Sequence, residues 1–314
     1  MNPLESTPVG NNVLVELQEN DTLVYKSLKL ILPEYSVPLR QIAYYAGRVV
    51  SVTKELDGSS FQWTTDIEVQ ENDIVLFSYQ MGAEIKSTDS SFVEDGKLYA
   101  TIRYPLIYLR IRDGVMQGVN GCIITEAIKK QETEKNGIIL TASGNESMYS
   151  KVIATSIPNK AYRFHPEIDE SSIDVSVGDI VFHDKWGSAS IEAFSRMFNN
   201  EIYANQRMWL KGKLINKDMG YNNDNFALFG DCLLVKVLTK EKVTSSGIIL
   251  PEQVNKRHEV EVAQVGHKAK KGYKKGQKFL LQTNALQAHN QFQFDEQFMF
   301  VIPISEQAIL GMVK

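Results

Sequence analysis

Apolar and polar residues alternate in short runs along most of this chain of 314 residues. Such alternation, in runs rich in β-branched and aromatic residues and ended by Gly, Asn, Asp or Pro, predicts short β-strands. Seven runs stand out: 13–17, 48–52, 98–102, 122–124, 233–237, 260–263 and 298–302. One segment, 191–209, has the spacing of an amphipathic helix, carried by Ile191, Phe194, Met197, Phe198 and Ile202. The predicted class is therefore all-β, with one candidate helix.

A short apolar phrase occurs three times. Two copies are clear, Gly137-Ile138-Ile139-Leu140 and Gly247-Ile248-Ile249-Leu250, and Leu30-Ile31-Leu32 is a looser third copy without the preceding glycine. The copies end 108 and then 110 residues apart. Each of these apolar triplets is either a short buried strand or an exposed segment that another protein binds. The residues alone leave both readings open.

The same order of parts surrounds each triplet. An opening strand comes first, and after the triplet follow a second strand, a variable loop, a turn into a third strand, and a closing apolar strand. The turns are Asn72-Asp73, Gly178-Asp179 and a weaker Gly276-Gln277, and Asn and Gly tolerate positive φ. The order predicts three successive domains, 1–115, 116–225 and 226–314, built as small partly closed barrels.

Charge is unevenly distributed over these modules. The first holds 10 basic and 16 acidic residues, the second 12 and 14, and the third 12 and 8. This gradient indicates that the modules face different neighbours or that chains stack head to tail. A lysine cluster in the third module is either a solvated loop or a contact for an acidic partner: Lys268, Lys270, Lys271, Lys274, Lys275 and Lys278. Only Tyr273 lies among these lysines, so nucleic-acid binding through base stacking is not expected.

Composition argues against several classes of protein. Hydrophobic content of 43% with 23% charged residues is typical of a globular protein, and no apolar run reaches the length of a membrane span. The first residues lack the features of a signal peptide, so a cytoplasmic location is expected, either for a cellular protein or for a viral one made there. The five histidines and two cysteines have no ligand spacing. No catalytic constellation, cofactor or metal site is expected, and the chain is not predicted to be an enzyme.

The third module resembles the GroES (chaperonin-10) co-chaperonins over nearly its whole length. Four segments carry the resemblance: Leu233–Val237, Ser245–Pro251, Val260–Gly266 and Ile304–Leu310. The second module matches at its triplet and at Val177–Phe182, and the first module is the most diverged. The resemblance implies a partly closed β-barrel in each module. It also implies that the triplet sits on a loop whose aliphatic residues dock on a ring chaperonin.

Two functions follow as expectations. The first is a non-enzymatic tandem co-chaperonin that binds a chaperonin ring through its triplets, assists protein folding and works as a homo-oligomer. Members of the family carry one module per chain and form seven-membered rings. Seven is not a multiple of three, so a ring of seven modules cannot be built from whole chains of three modules each. The second expectation is a structural protein of a phage particle, a capsid auxiliary or tail component located in the virion, because fold does not fix function.

Overall fold

The computed structural model describes parts of the chain that together cover most of its predicted strands, and every structural statement below refers to them. The described residues are 7–17, 46–57, 66–78, 85, 90–128, 133–135, 138–140, 149–159, 170–183, 188–190, 200–216, 219, 223–238, 242–243, 249–250, 257–269, 272–282, 286, 291–294, 297–304 and 309–312. Within them, no helix has the length and apolar character needed to span a membrane.

The described residues form three large sheets and two small ones. The first sheet contains β1 (Asn12–Leu17), β2 (Ala46–Val52), β3 (Ile74–Phe77), β4 (Ser91–Glu94), β5 (Lys97–Arg103), β6 (Ile107–Arg112) and β7 (Val115–Gly118). The middle of the chain supplies β8 (Cys122–Ala127), β9 (Thr133–Lys135), β10 (Ile138–Leu140), β11 (Tyr149–Ala154), β12 (Ile180–His183), β13 (Ser188–Ser190), β14 (Ile202–Gln206), β15 (Leu210–Leu214) and β16 (Phe226–Leu228). The last part supplies β17 (Cys232–Val237), β18 (Lys242–Val243), β19 (Ile249–Leu250), β20 (Arg257–Val265), β21 (Lys278–Gln282), β22 (Gln291–Phe294), β23 (Gln297–Pro303) and β24 (Ile309–Met312).

The three large sheets share one strand order over six strands, and the first two have a seventh strand at the end. It is β4-β5-β1-β2-β3-β6-β7 in the first sheet, β13-β14-β8-β11-β12-β15-β16 in the second, and β22-β23-β17-β20-β21-β24 in the third. Neighbouring strands such as β1 with β2 and β17 with β20 pair antiparallel. The predicted all-β class is confirmed, and within the described residues the sheets do not close into complete barrels. The domain boundaries at 115 and 225 stay predictions.

The predicted helix over 191–209 is wrong for the residues that the structure describes. Residues 202–206 form strand β14, and a short 3-10 turn follows at 207–209. Residues 191–199 lie outside the described part. Ile202 and Ala204 are buried alternate residues of a strand, whereas Ile202 had been the last member of a helical pattern. A few apolar residues near a strand can match both periods, so the helical spacing was not decisive.

The turn before the third strand recurs in each sheet, as its sequence predicted. Asn72, Gly178 and Gly276 have φ of 70°, 88° and 84°. Each of these residues donates its backbone N–H to the carbonyl of Val49, Val152 or Val262 on the second strand, at 2.8–2.9 Å. Positive φ suits glycine and asparagine, which explains the residue types found at this turn.

The fold divides into two compact units, and each has a core of its own. The first unit takes Met1–Ala127, Val152–Gly178 and Ala189–Met208, and the second takes Ile128–Lys151, Asp179–Ser188 and Trp209–Lys314. In the first unit, one face of the first sheet buries Val13, Val15, Val49, Val75, Ala100, Ile102 and Ile107. In the second unit, the third sheet buries Leu233, Val235, Val260, Val262, Phe279, Leu281 and Ile302.

Each unit also has a core that is shared by two sheets. In the first unit, five residues of β2, β3 and β6 pack against five of β8, β11 and β14: Ala46, Ile74, Leu76, Leu109 and Ile111 with Cys122, Ile124, Ala154, Ile202 and Ala204. In the second unit, residues of β12, β15 and β16 pack against β17 and β23: Phe182, Leu214, Phe226 and Leu228 with Leu234, Met299 and Val301. We call these the first and the second shared core.

Between the first two sheets the chain passes through a buried, tightly held turn. Asn120 and Gly121 have φ of 57° and 72°, and Cys122 donates its N–H to the carbonyl of Val119 at 3.0 Å. Two successive positive φ values with this bond describe a type I′ turn, which Asn-Gly favours. The Asn120 side-chain amide donates to the carbonyls of Tyr104 and Ile107 at 2.6 and 3.1 Å. The turn therefore leaves little freedom between the sheets that it joins.

Gly121→Ala is expected to destabilise the first unit more than Gly96→Ala, because the two glycines differ in their surroundings. Both have positive φ, so both substitutions carry backbone strain of about 1–3 kcal/mol. A Cβ at Gly121 would lie 2.4 Å from Asn159 Nδ2 and 2.6 Å from Glu170 Oε2, whereas one at Gly96 meets nothing within 4 Å. Overpacking adds about 1–3 kcal/mol. Urea unfolding of both variants measures the difference, and equal losses would contradict the described turn.

Candidate functional site

The triplet of the second module lies on a small ribbon of its own. Strand β10, which is Ile138–Leu140, pairs antiparallel with β9 and with no other strand in the described residues. Ile138 stands opposite Lys135, and Ile139 stands opposite Glu134. The sequence between the two strands is Asn136-Gly137, the dipeptide most typical of a two-residue hairpin. This triplet is therefore a strand, but not one of the second large sheet.

The triplet of the third module is built in the same way. Ile249 and Leu250 form β19, which pairs with β18 so that Val243 stands opposite Ile249 and Lys242 opposite Leu250. These strands also make a two-stranded sheet within the described part of the chain. The connection is longer than that between β9 and β10, since residues 244–248 separate β18 from β19. We call β9–β10 and β18–β19 the second-module and third-module ribbons.

Several predicted site residues cannot be placed. Leu30, Ile31 and Leu32 lie outside the described residues, as do Gly137, Gly247 and Ile248. The partner strands β9 and β18 were missed from the sequence, although Asn136-Gly137 was a usable signal for the first of them. Their strand residues are polar, Thr133, Glu134, Lys135 and Lys242, apart from Val243. A polar strand paired with an apolar one gives weak alternation, which hides it from a periodicity argument.

The lysine cluster divides into residues with different surroundings. Lys275 forms an ion pair with Asp224 at 3.0 Å, and both side chains are largely exposed, so this pair contributes little stability. Lys278 is exposed and stands opposite Glu261 in the sheet. Tyr273 packs against the core of the third sheet, with its ring 5.6 Å from that of Phe279. It is therefore not placed for base stacking. Lys268 and Lys274 are also described, whereas Lys270 and Lys271 lie outside the described residues.

Two partly or fully buried carboxyl groups hold the turn between the first two sheets. Glu68 Oε1 accepts the backbone N–H of Asn120 at 3.0 Å, and Glu170 Oε2 accepts that of Asn159 at 2.8 Å. Asn159 in turn donates its side-chain amide to the carbonyl of Asn120 at 3.2 Å. Burial raises the pKa of Glu68 and of Glu170 to about 7, although these backbone donors oppose the shift. Both groups therefore titrate near neutral pH.

Arg207 is the buried cation of this cluster. Its guanidinium donates to the carbonyls of Ile173 and Ser156 at 2.8 and 2.7 Å. Burial lowers its pKa, and the nearby carboxylates, Glu170 first, oppose that shift. The cluster is polar, and not all of its buried atoms are satisfied, since Glu68 Oε2 and Arg207 Nε have no hydrogen-bond partner within the described residues. It suits a structural joint better than a catalytic centre, since its polar groups are directed at backbone atoms of the protein.

The described residues contain no group of three or more His, Cys, Asp and Glu that could hold a metal ion. Cys122 and Cys232 are free thiols at the first position of β8 and of β17. Cys122 is buried and Cys232 is half-buried, and burial raises the pKa of both thiols. Buried protonated thiols are poor nucleophiles and poor metal ligands.

Comparison with known proteins places a family on one part of the chain. No curated protein matches this chain. The family model of the chaperonin 10 kDa subunit matches residues 225–313. The match covers the third sheet, the third-module ribbon and the edge strand β16 of the second sheet, and leaves the first sheet and the other strands of the second without a family match. The C-terminal part of this chain is therefore similar to the chaperonin 10 kDa subunit and has a GroES-like fold.

Proposed function

We propose that this chain is a non-enzymatic, tandem co-chaperonin-like protein that binds a chaperonin ring through the apolar residues of its ribbons. The observation that carries the proposal is that two apolar triplets, one of them inside the family match, lie on ribbons outside the large sheets. The common strand order of the three sheets supports the idea that one module occurs three times. The function of the single matched module is thereby extended to the chain.

The energetics favour the use of several ribbons together. Burying one Ile or Leu contributes about 1.5–3 kcal/mol, and ordering the backbone opposes it by about 1–2 kcal/mol per residue. A strand that is already paired loses less entropy on binding. The second-module ribbon has the shorter connection, Asn136-Gly137, and a shorter loop costs less entropy to close. Two ribbons on one chain, or more in a homo-oligomer, would raise the apparent affinity through effective concentration.

Replacing Ile139 and Ile249 by serine is expected to weaken binding to a purified chaperonin ring. Each change removes one apolar contact of about 1.5–3 kcal/mol, so each single variant should bind roughly 10- to 150-fold more weakly. The double variant should lose detectable binding. Because neither residue belongs to a large sheet, the midpoint of thermal unfolding should stay unchanged. Biolayer interferometry and circular dichroism measure the two quantities.

Ile215→Ser is the matched control. Ile215 is 65% exposed and lies outside the ribbons, so its loss should change neither binding nor stability. A double ribbon variant that binds as tightly as the unchanged protein contradicts the proposal. So does unfolding of the third module by Ile249→Ser, because the triplet would then be part of the core.

A second function, a rigid structural component of a phage particle, is favoured by the shared cores. Within each unit two sheets bury side chains against each other, ten in the first shared core and seven in the second, and such packing stiffens that unit, whereas a flexible string of domains would expose those faces. Capture of partners from the producing cell discriminates between the two functions. A chaperonin as the dominant partner supports the first, and capsid or tail proteins support the second.

A further inference from the structure

The two shared cores are the same contact made twice. In the first core Ile74 and Leu76 of β3 face the next sheet, and in the second core Ile180 and Phe182 of β12 hold the equivalent positions. Their equivalence follows from the turn, because Ile74 and Ile180 both come two residues after the positive-φ residue. The cross-strand partners also agree, since Ala46 stands opposite Leu76 and Tyr149 opposite Phe182. We call this side of each sheet its leading face.

The opposite side of each contact repeats as well. The second sheet receives the first through Ile124, Ile202 and Ala204, and the third receives the second through Leu234, Met299 and Val301. Pairing registers align the two sets, because Ile124 stands opposite Ala204, and Leu234 stands opposite Val301. We call this side the receiving face. Each contact joins the leading face of one sheet to the receiving face of the next. A row of such sheets therefore has one leading face without a partner at one end and one receiving face without a partner at the other.

The spare leading face, on the third sheet, has lost its apolar character. Lys278 occupies the position of Ile74 and Ile180, two residues after Gly276. Glu259, opposite Leu280, occupies the position of Ala46 and Tyr149. Lys278 is exposed, and Glu259 and Leu280 are half-buried. Moving two charges out of water into such a contact carries a desolvation cost that the apolar pair Ile74 and Ala46 does not have.

The spare receiving face, on the first sheet, has changed too. Asn12 occupies the position of Cys122 and Cys232, and Thr101, opposite Leu14, occupies that of Ala204 and Val301. The two apolar residues that remain there, Leu14 and Tyr99, are only 4% and 5% exposed within the chain itself. Neither has an apolar surface left to offer to another module.

We infer that this contact ends with the third sheet, so that the leading face there accepts no further module. The excluded partner is a second copy of this chain or a single-module relative docking in the same manner. Polar end faces of this kind are what stop the growth of repeat proteins. Any association between copies would therefore use other surfaces. The inference rests on the two shared cores and is independent of chaperonin binding.

Sedimentation of a charge-reversed variant tests the inference. The double variant, Glu259→Lys with Lys278→Glu, is expected to have the same sedimentation coefficient as the unchanged protein at each concentration over a hundredfold range. If the unchanged protein is a single chain, or is an oligomer that the double variant preserves, the inference holds. It is overturned if the unchanged protein is an oligomer and the double variant falls apart into single chains.

Two further measurements keep the test decisive if the double variant is poorly folded. Acetylation of Lys278, followed by mass spectrometry, should proceed at the same rate in dilute and concentrated protein. Protection of Lys278 at high concentration overturns the inference. Ile180→Lys, which places the same residue at the equivalent half-buried position against the second shared core, should lower the midpoint of thermal unfolding. An unchanged midpoint would show that the two positions are not equivalent and would also overturn it.

Discussion

Phe182→Ala is expected to lower the free energy of unfolding of the second unit by about 3–5 kcal/mol, the range for truncating a buried phenylalanine. The ring is fully buried, and it makes edge-to-face contacts with Tyr149 and Phe226 at centroid distances of 4.2 and 4.3 Å. Truncation removes these contacts and leaves a cavity in the second shared core. The surrounding structure relaxes only partially around such a cavity. Urea unfolding followed by circular dichroism measures the loss.

Two variants make the comparison sharp. Leu76→Ala, at the equivalent position of the first shared core, should cost about 2–5 kcal/mol in the first unit. Val93→Ala, on a residue that is 70% exposed, should stay within about 0.5 kcal/mol of the unchanged protein. A loss below about 1 kcal/mol for Phe182→Ala would mean that the second shared core does not hold the second unit together.

The stability of the first unit should fall as the pH rises from about 4.5 to about 7. Glu68 and Glu170 have folded-state pKa values near 7, above the value of 4.5 that they have when exposed. The folded protein therefore binds more protons than the unfolded chain in this window, and raising the pH favours unfolding. For Glu170 alone the shift corresponds to a loss on the order of 3 kcal/mol between the two limits. Urea unfolding at pH 5 and pH 8 measures it.

Glu170→Gln should flatten this pH dependence. The amide keeps an oxygen to accept the N–H of Asn159 and cannot ionise, so its contribution to the slope disappears. The groups that face the two carboxyls are Arg207, Arg110 and Asp66, and they remain in the variant. Val93→Ala, on an exposed residue without a titratable group, serves as the control and should leave the slope unchanged. Equal slopes in Glu170→Gln and the unchanged protein would show that this carboxyl does not titrate near pH 7.

Strand positions and the recurring turn were predictable from the sequence because both depend on local patterns. Alternation located β1, β2 and β17, and Asn or Gly before the third strand indicated the positive φ observed at Asn72, Gly178 and Gly276. The shared cores were not predictable in this way. Ile74 and Val75 look alike in the sequence, and only the fold shows that Val75 lies in the first sheet's own core and Ile74 in the shared one.

The candidate site was predicted in part. Repetition drew attention to Ile138–Leu140 and Ile249–Leu250, but it could not separate a core strand from a separate ribbon. That difference depends on which strand pairs with each triplet. Strand pairing can join residues far apart in the chain, but here the partner is a nearby strand whose apolar and polar residues alternate only weakly. The buried cluster around Glu170 and Arg207 was missed entirely. These charged residues resemble surface residues until the fold brings them to the backbone of residues 156–159.

The second shared core also has a consequence for synthesis on the ribosome. Phe182 and Phe226 belong to it, yet Leu234, Met299 and Val301, which cover them, are made later in the chain. At roughly 5–20 residues per second, the chain from Leu234 to Val301 takes about 3–13 s to emerge. During that time the aromatic side chains are exposed to solvent. The nascent chain thus passes through an interval of aggregation risk that is set by the order of these residues in the chain. Slower translation of the last third would lengthen that interval.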